Sequence, residues 1–188
     1  LRVICVVPQP VPAFVPSIKK GCAPLAINIQ NNSGPASSCQ PIQYKWRVQY
    51  LSNPPCAVGS NFSFTNSTDS TSFSPSFNFV NPGRYVLLLL ATNKCGTFVK
   101  RDTITVKDKP QVSMPSNPAV CSASQFITPT ATVTNCGENA ISYSWTFVNG
   151  IPGTSNLANP GPIQFVGSTT HTIGLTVVNE CGSANANT

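Results

Sequence analysis

The sequence predicts an all-β chain made of tandem two-sheet sandwiches. Three observations point there: a polar but almost uncharged composition, apolar residues recurring at every second position, and an internal repeat. Of 188 residues, 11 are basic and 5 acidic, so 9% are charged, against about 25% in an ordinary soluble domain. Polarity comes instead from 21 Ser, 18 Thr and 18 Asn. Helical proteins wet their outer faces with Glu, Lys and Arg, whereas Thr and Ser suit the outer face of a sheet and Asn, Pro and Gly its turns. A hydrophobic content of 40% is enough for packed cores, which excludes a chain disordered throughout.

The repeat sets the domain organisation. Cys22 and Cys121 stand 99 residues apart, as do the Trp residues of Tyr44-Lys45-Trp46 and Tyr143-Ser144-Trp145. Cys39 and Cys136 are 97 apart, and Asn93-Lys94-Cys95-Gly96 returns 86 later as Asn179-Glu180-Cys181-Gly182. The second copy is thus 13 residues shorter between its Trp and its last Cys, which places Cys56 in an insertion of the first. Residues 17–110 read as repeat one and 111–188 as repeat two. Residues 1–7 align with the segment that closes repeat one. Residues 1–16 therefore read as the last strand of a preceding repeat plus a stiff, Pro-rich linker. Only seven residues follow Cys181, so repeat two reads as lacking its closing strand. The longest apolar run, residues 85–91, is far too short to span a membrane, and no basic, apolar leader opens the chain. The sequence reads as a mature or excised piece of an exported protein.

Period-2 alternation marks the strands in order. Tyr44, Trp46 and Val48 share one face, opposite Lys45, Arg47 and Gln49. Phe77 and Phe79 alternate with Ser76 and Asn78. Tyr85, Leu87, Leu89 and Ala91 correspond to His171, Ile173, Leu175 and Val177 in the second copy, where Tyr143, Trp145 and Phe147 alternate with Ser144 and Thr146. Trp46, Trp145, Tyr44, Tyr143 and Tyr85 are the expected core. Asn53-Pro54-Pro55, Asn81-Pro82-Gly83 and Asn159-Pro160-Gly161-Pro162 are turn signals between these runs.

Eight cysteines in so polar a chain point to an oxidising, extracellular compartment. Zinc is the weaker reading, since no Cys-x-x-Cys occurs and His171 is the one histidine.

Taken together, Tyr44-x-Trp46, Pro75-x-Phe77, Gly83-x-Tyr85-x-x-x-Leu89 and Asn93-x-Cys95-Gly96 resemble PKD-type repeats, a branch of the immunoglobulin-like sandwiches. The alternation of Ser76-Phe77-Asn78-Phe79 before Asn81-Pro82-Gly83-Arg84-Tyr85 with Tyr143-Ser144-Trp145-Thr146-Phe147 before Ala158-Asn159-Pro160-Gly161 is similar to the very large, SprB-type gliding adhesins of Bacteroidota. The resemblance covers residues 17–188. The usual Gly-Asp-Gly after the Trp strand is missing in the first copy and reduced to Asn149-Gly150 in the second, and His171 stands where Tyr85 would repeat.

The resemblance implies a structural and adhesive segment of a long surface fibre, exported by type IX secretion, with neighbouring repeats as its first partners and extracellular polysaccharide or other surface proteins as further ones. The alternative is a non-catalytic spacer or carbohydrate-associated module of a secreted polysaccharide-degrading enzyme. An immunoglobulin-like topology gathers Cys22, Cys39 and Cys95 at one pole, and Cys121, Cys136 and Cys181 at the equivalent one. The expected bridges are Cys22–Cys95 and Cys121–Cys181, each worth on the order of 4 kcal/mol. A third, Cys39–Cys56, carries a conflict, because one unbroken strand between the two would hold them roughly 25 Å apart. Cys5 and Cys136 stay unassigned.

Catalysis is not expected. The carboxylates Asp69, Asp102, Asp108, Glu138 and Glu180 fall in turns, linkers or strand ends, and His171 reads as a core histidine rather than a member of a triad. No phosphate loop, cofactor motif or cation loop occurs. Charge is lopsided: residues 1–109 hold all 11 basic and three acidic side chains, a net +8, and the remainder is −2. Lys45, Arg47 and Arg84 then form either a patch for an acidic partner or a merely solubilising face. Val86, Leu88 and Leu90 beside them call for a cover, from the Cys56 insertion or from a partner. Nucleic acid is not expected, without interleaved exposed aromatics, and neither is membrane insertion. Asp69-Ser70-Thr71 and Asp102-Thr103-Ile104 resemble Bacteroidota O-glycosylation acceptors at Ser70 and Thr103.

Overall fold

The computed structural model describes residues 4–35, 40–51, 56, 58–116, 124–167 and 169–188, and every regular element among them is a strand. The chain divides into two compact units, Leu1–Lys107 and Asp108–Thr188.

The first unit contains β1 (Phe14–Pro16), β2 (Lys20–Cys22), β3 (Leu25–Asn31), β4 (Gln43–Leu51), β5 (Phe62–Thr65), β6 (Ser76–Phe79), β7 (Gly83–Asn93) and β8 (Gly96–Lys107). One sheet runs β1-β3-β6-β5 and the other β2-β8-β7-β4. Neighbours are antiparallel except β2 and β8, which run parallel. Every second residue of β3 is buried, as the pleat of a half-buried strand dictates. The inward residues, Phe14, Ile27, Trp46, Phe77, Phe79, Tyr85, Leu87 and Leu89 among them, form one core. Each such side chain stabilises the unit by about 1.5–3 kcal/mol on burial. Trp46 is central. Its ring meets Phe14 edge-on at 5.0 Å, and its indole N–H donates to the Ser72 carbonyl at 2.9 Å, so no polar atom is stranded. Tyr85 is also buried, and its hydroxyl donates to the Asn81 carbonyl at 2.9 Å, the corner expected at the start of this strand in immunoglobulin-like sandwiches. Gly83, at φ +145°, lets the chain turn beneath Tyr50, whose ring would lie 2.5 Å from any added Cβ.

The second unit contains β9 (Gln111–Ser113), β10 (Ser124–Ile127), β11 (Thr132–Thr134), β12 (Ser142–Phe147), β13 (Gly150–Ile151), β14 (Thr154–Ser155), β15 (Ile163–Val166), β16 (Ile173–Asn179) and β17 (Gly182–Asn187). Its larger sheet runs β14-β12-β16-β17, and the remaining strands form the sheet β10-β15-β13 and the pair β11-β9. Where the first unit has one continuous β3, the second has β10 and β11, separated by a stretch containing Pro129, which has no N–H to give a ladder. Trp145, Phe147, Ile163, Phe165, Ile173, Leu175 and Val177 fill the core. The Trp145 indole donates to the Leu157 carbonyl at 3.0 Å.

Three sequence expectations change. Residues 14–16 are not linker: Phe14–Pro16 is β1, bonded to β3, because Phe14 buries its ring in the first core, and residues 4–7 form no strand. The second unit has a closing strand, since β17 pairs with β16 along its whole length, at half the length of β8. His171 lies just before β16, half-buried rather than in the core, over Phe165 at 5.0 Å and with Nδ1 3.4 Å from the Val148 carbonyl oxygen.

Candidate functional site

Two regions hold the residues singled out by sequence. The first is the pole of each unit, where Asn-x-Cys-Gly turns the chain between the last two strands. In the first unit, Asn93 Oδ1 accepts from the Cys95 N–H at 2.8 Å, while its Nδ2 donates to the Pro8 carbonyl at 2.7 Å. Asn179 does the same in the second, accepting from the Cys181 N–H at 2.8 Å and donating to Asp108 at 2.8 Å. One Asn therefore both shapes the turn and clamps the chain arriving at that pole.

One of the expected bridges, Cys22–Cys95, does not form. Cys5, Cys22, Cys56, Cys136 and Cys181 are disulfide-bonded, but Cys95 carries an exposed thiol 3.2 Å from the Val7 carbonyl oxygen. A Cys22–Cys95 bridge is excluded by register. Cys22 pairs with Lys107 at the end of β8, and Cys95 precedes Gly96 at its start, so the length of an extended strand, more than about 30 Å, separates them. The expectation took Cys22 for the start of the first strand, whereas β1 comes earlier and Cys22 ends β2, at the opposite pole. Cys39 and Cys121 lie outside the described residues, and with them the Cys39–Cys56 and Cys121–Cys181 bridges.

The second region is the outer face of the β2-β8-β7-β4 sheet. Since Trp46, Leu87 and Leu89 point inward, period 2 sends Lys45, Arg47 and Gln49 outward from β4 and Arg84, Val86, Leu88 and Leu90 outward from β7. Register places Arg47 beside Leu88 and Leu88 beside Arg101, so the β8 residue Arg101 completes a cationic border that sequence reasoning had missed. Lys45 flanks Leu90, and Arg84 sits at the far end opposite Leu51. Val86, Leu88 and Leu90 are half-buried. Lys45, Arg47 and Arg101 flank them and are exposed to solvent. The Cys56 insertion lies partly outside the described residues, and β5, which follows it, pairs with β6 in the opposite sheet just as β13 pairs with β15 in the second unit. None of Lys45, Arg47, Arg84 and Arg101 makes an ion pair with a described residue, whereas Lys19 holds Asp102 at 2.7 Å. No carboxylate projects outward from β4, β7 or β8.

At one end of this face a cleft of about 470 Å³ is lined by Ile42, Gln43, Tyr44, Lys45, Thr71 and Thr92. A second, of about 330 Å³, shares Gln43 and Thr92 and reaches Gln40, Asn93 and Lys94. Tyr44, half-buried under the first cleft, stacks edge-on with the exposed Phe73 at 5.3 Å, and burial raises its pKa. The adjoining loop is fixed by Asp69, whose Oδ1 accepts from the Thr71 and Ser72 N–H groups at 2.7 and 3.0 Å and from both hydroxyls. Those bonds, Thr71's side chain foremost, hold the carboxyl below its ordinary value. Ser70 is half-buried in that loop, its carbonyl bonded to the Trp46 N–H at 2.7 Å, and Thr103 is half-buried on the outer face. Among the described residues no group of three or more His, Cys, Asp or Glu is placed to hold a metal ion.

No protein-family model matches the chain, and no curated protein matches its sequence. Among solved structures, the D00-D0 domain of intimin aligns over 94% of this chain and 96% of its own, at a TM-score of 0.50 and 12% identity. The I-band fragment I67-I69 of titin aligns over 97% of the chain at 0.48 and 11% identity, and the chain spans 65% of that fragment's length. The full ectodomain of mouse nectin-like molecule 4 aligns over 94% at 0.43 and 13% identity, with 62% of its length spanned. The strand order and the intimin alignment together make the chain a tandem of immunoglobulin-like sandwiches.

Proposed function

We propose that the chain is a load-bearing repeat segment of a large extracellular fibre, of the kind found in gliding-motility adhesins exported by type IX secretion. Repeat one and repeat two act as successive links, and neighbouring repeats of the same chain are their first partners. The observation that carries this reading is the parallel pairing of β2 with β8, Lys20 with Thr105 through Cys22 with Lys107. A pull applied to the two ends of the first unit loads that ladder in shear, so its bonds must break together, whereas a peeled hairpin gives way one bond at a time. Each bond is worth only about 1 kcal/mol at equilibrium, so resistance comes from the geometry of loading rather than from total stability. The bonded cysteines fit an oxidising, extracellular setting. Ser70 and Thr103 are the candidate acceptors for glycan on such a fibre.

Single-molecule force spectroscopy tests this. The oxidised chain, pulled from its two ends, should give two discrete unfolding events, and the first unit should unfold at a clearly lower force when pulled across the β7–β8 turn. Equal forces in both directions, or one gradual extension, would overturn it.

A further inference from the structure

We propose that the outer face of the first unit, from the cleft at Gln43 and Thr92 to Arg84, binds an acidic polysaccharide built of uronic acid units. The proposal deepens the adhesive reading above and rests on it only for the extracellular setting. Lys45, Arg47, Arg84 and Arg101 border the face with positive charge that no described carboxylate neutralises. Between them the half-buried Val86, Leu88 and Leu90 offer an apolar strip suited to the C–H faces of pyranose rings. The adjoining clefts are lined by amides and hydroxyls, Gln43, Thr71, Thr92 and Asn93, which can match sugar hydroxyls in both donor and acceptor roles. The nine residues of β4 give a track of roughly 27 Å, room for several sugar units. Carboxylates repeating along a polymer, each carried on a ring with one apolar side, meet every one of these features.

The second unit supplies the control. At the positions of Lys45 and Arg47 it has Ser144 and Thr146; at those of Val86, Leu88 and Leu90 it has Thr172, Gly174 and Thr176; and opposite Gly174, where Leu88 faces Arg101, stands Asn187. The same sheet is thus wetted by neutral side chains alone. Solubility does not require cations here, so the charge and the apolar strip of the first unit call for a different cause.

The test is calorimetric titration of the oxidised 188-residue chain with oligogalacturonate, the fully methyl-esterified form of the same oligomer, and single-stranded DNA of matched charge. Oligogalacturonate should bind, more weakly as salt is raised, while the ester and the DNA should bind at least tenfold less tightly. Arg47→Gln and Arg101→Gln should each weaken binding about tenfold, the loss expected for one hydrogen bond between charged groups. Lys100→Gln removes the same charge from the opposite side of β8 and should cost less than about twofold. Absence of binding, an ester or DNA that binds as tightly, or a Lys100→Gln loss equal to that of Arg47→Gln would each overturn the proposal. None of these outcomes touches the pulling experiment, so the two ideas fail separately.

Discussion

Trp46 and Trp145 occupy the same place in two copies of one frame, each opposite a leucine of the neighbouring strand, Leu89 or Leu175, and each with its indole satisfied by a loop carbonyl. Turned over, the same strands differ completely. The first unit shows cations around an apolar strip, and the second shows Ser, Thr, Gly and Asn. The interiors differ in degree as well: among the described residues, 12 are buried in the first cluster and seven in the second. The frame needs the inward half of the alternation and leaves the outward half open. That outward half is where the two units are specialised.

Removing the Trp breaks the comparison most severely. Trp46→Ala and Trp145→Ala should each cost about 3–5 kcal/mol, from lost burial plus the cavity left behind. Against typical domain stabilities of about 5–15 kcal/mol, the smaller core of the second unit should lose its fold outright while the first survives weakened. Amide NMR spectra of each variant report on the mutated unit itself, through Leu87 and Leu89 in the first and Leu175 and Val177 in the second. Equal survival of both units would mean that core size does not set their difference.

Cystine mapping sharpens the picture of the poles. Register brings Cys22, Lys107, Arg84 and Leu51 to one pole, and Cys56 follows Leu51 by five residues. In the second unit the neighbours of Cys136 touch those of Cys181: Asn135 accepts from Asn179, and Glu180 accepts from the Glu138 N–H. Peptide mapping should therefore find Cys22 joined to Cys56 and Cys136 to Cys181, with Cys95 alkylated under native conditions. Reduction should remove roughly 4 kcal/mol per bridge. Recovery of a Cys22–Cys95 peptide would contradict the register.

A smaller effect separates the two corners. Burial holds the Tyr85 phenol above its ordinary value of 10.0. A raised pKa means that its contribution is complete below that ordinary value and is lost as pH rises through the folded one. Tyr85→Phe should cost about 1 kcal/mol at neutral pH and flatten the alkaline loss of stability in the first unit. The second unit has His171 at that position and no phenol there to ionise. An unchanged alkaline limb in the variant would place the titration elsewhere.

Much of the frame was legible in the sequence because alternation and repetition are properties of composition and spacing. Tyr44-x-Trp46 and its copy, the Asn-x-Cys-Gly turns, and the inward set from Tyr85 to Ala91 all lie where period 2 puts them. The failures share one cause. β1 is three residues long in a Pro-rich stretch, too short to show a period, so Phe14 passed for linker and Cys22 was set at the wrong pole. Arg101 was missed because the partner of Leu88 on β8 depends on where the β7–β8 hairpin turns, and a register one residue off would have sent that side chain inward. The asymmetry of charge was visible, but its meaning required knowing that both outer faces belong to equivalent sheets.

The measurement that bears most directly on the division of labour between the units is an amide NMR titration of the whole oxidised chain with oligogalacturonate. Shifts should concentrate on Gln43, Lys45, Arg47, Leu88, Thr92 and Arg101 and be absent from Ser144, Thr146, Gly174 and Thr176. Shifts of equal size on both outer faces, or on the second alone, would contradict the account.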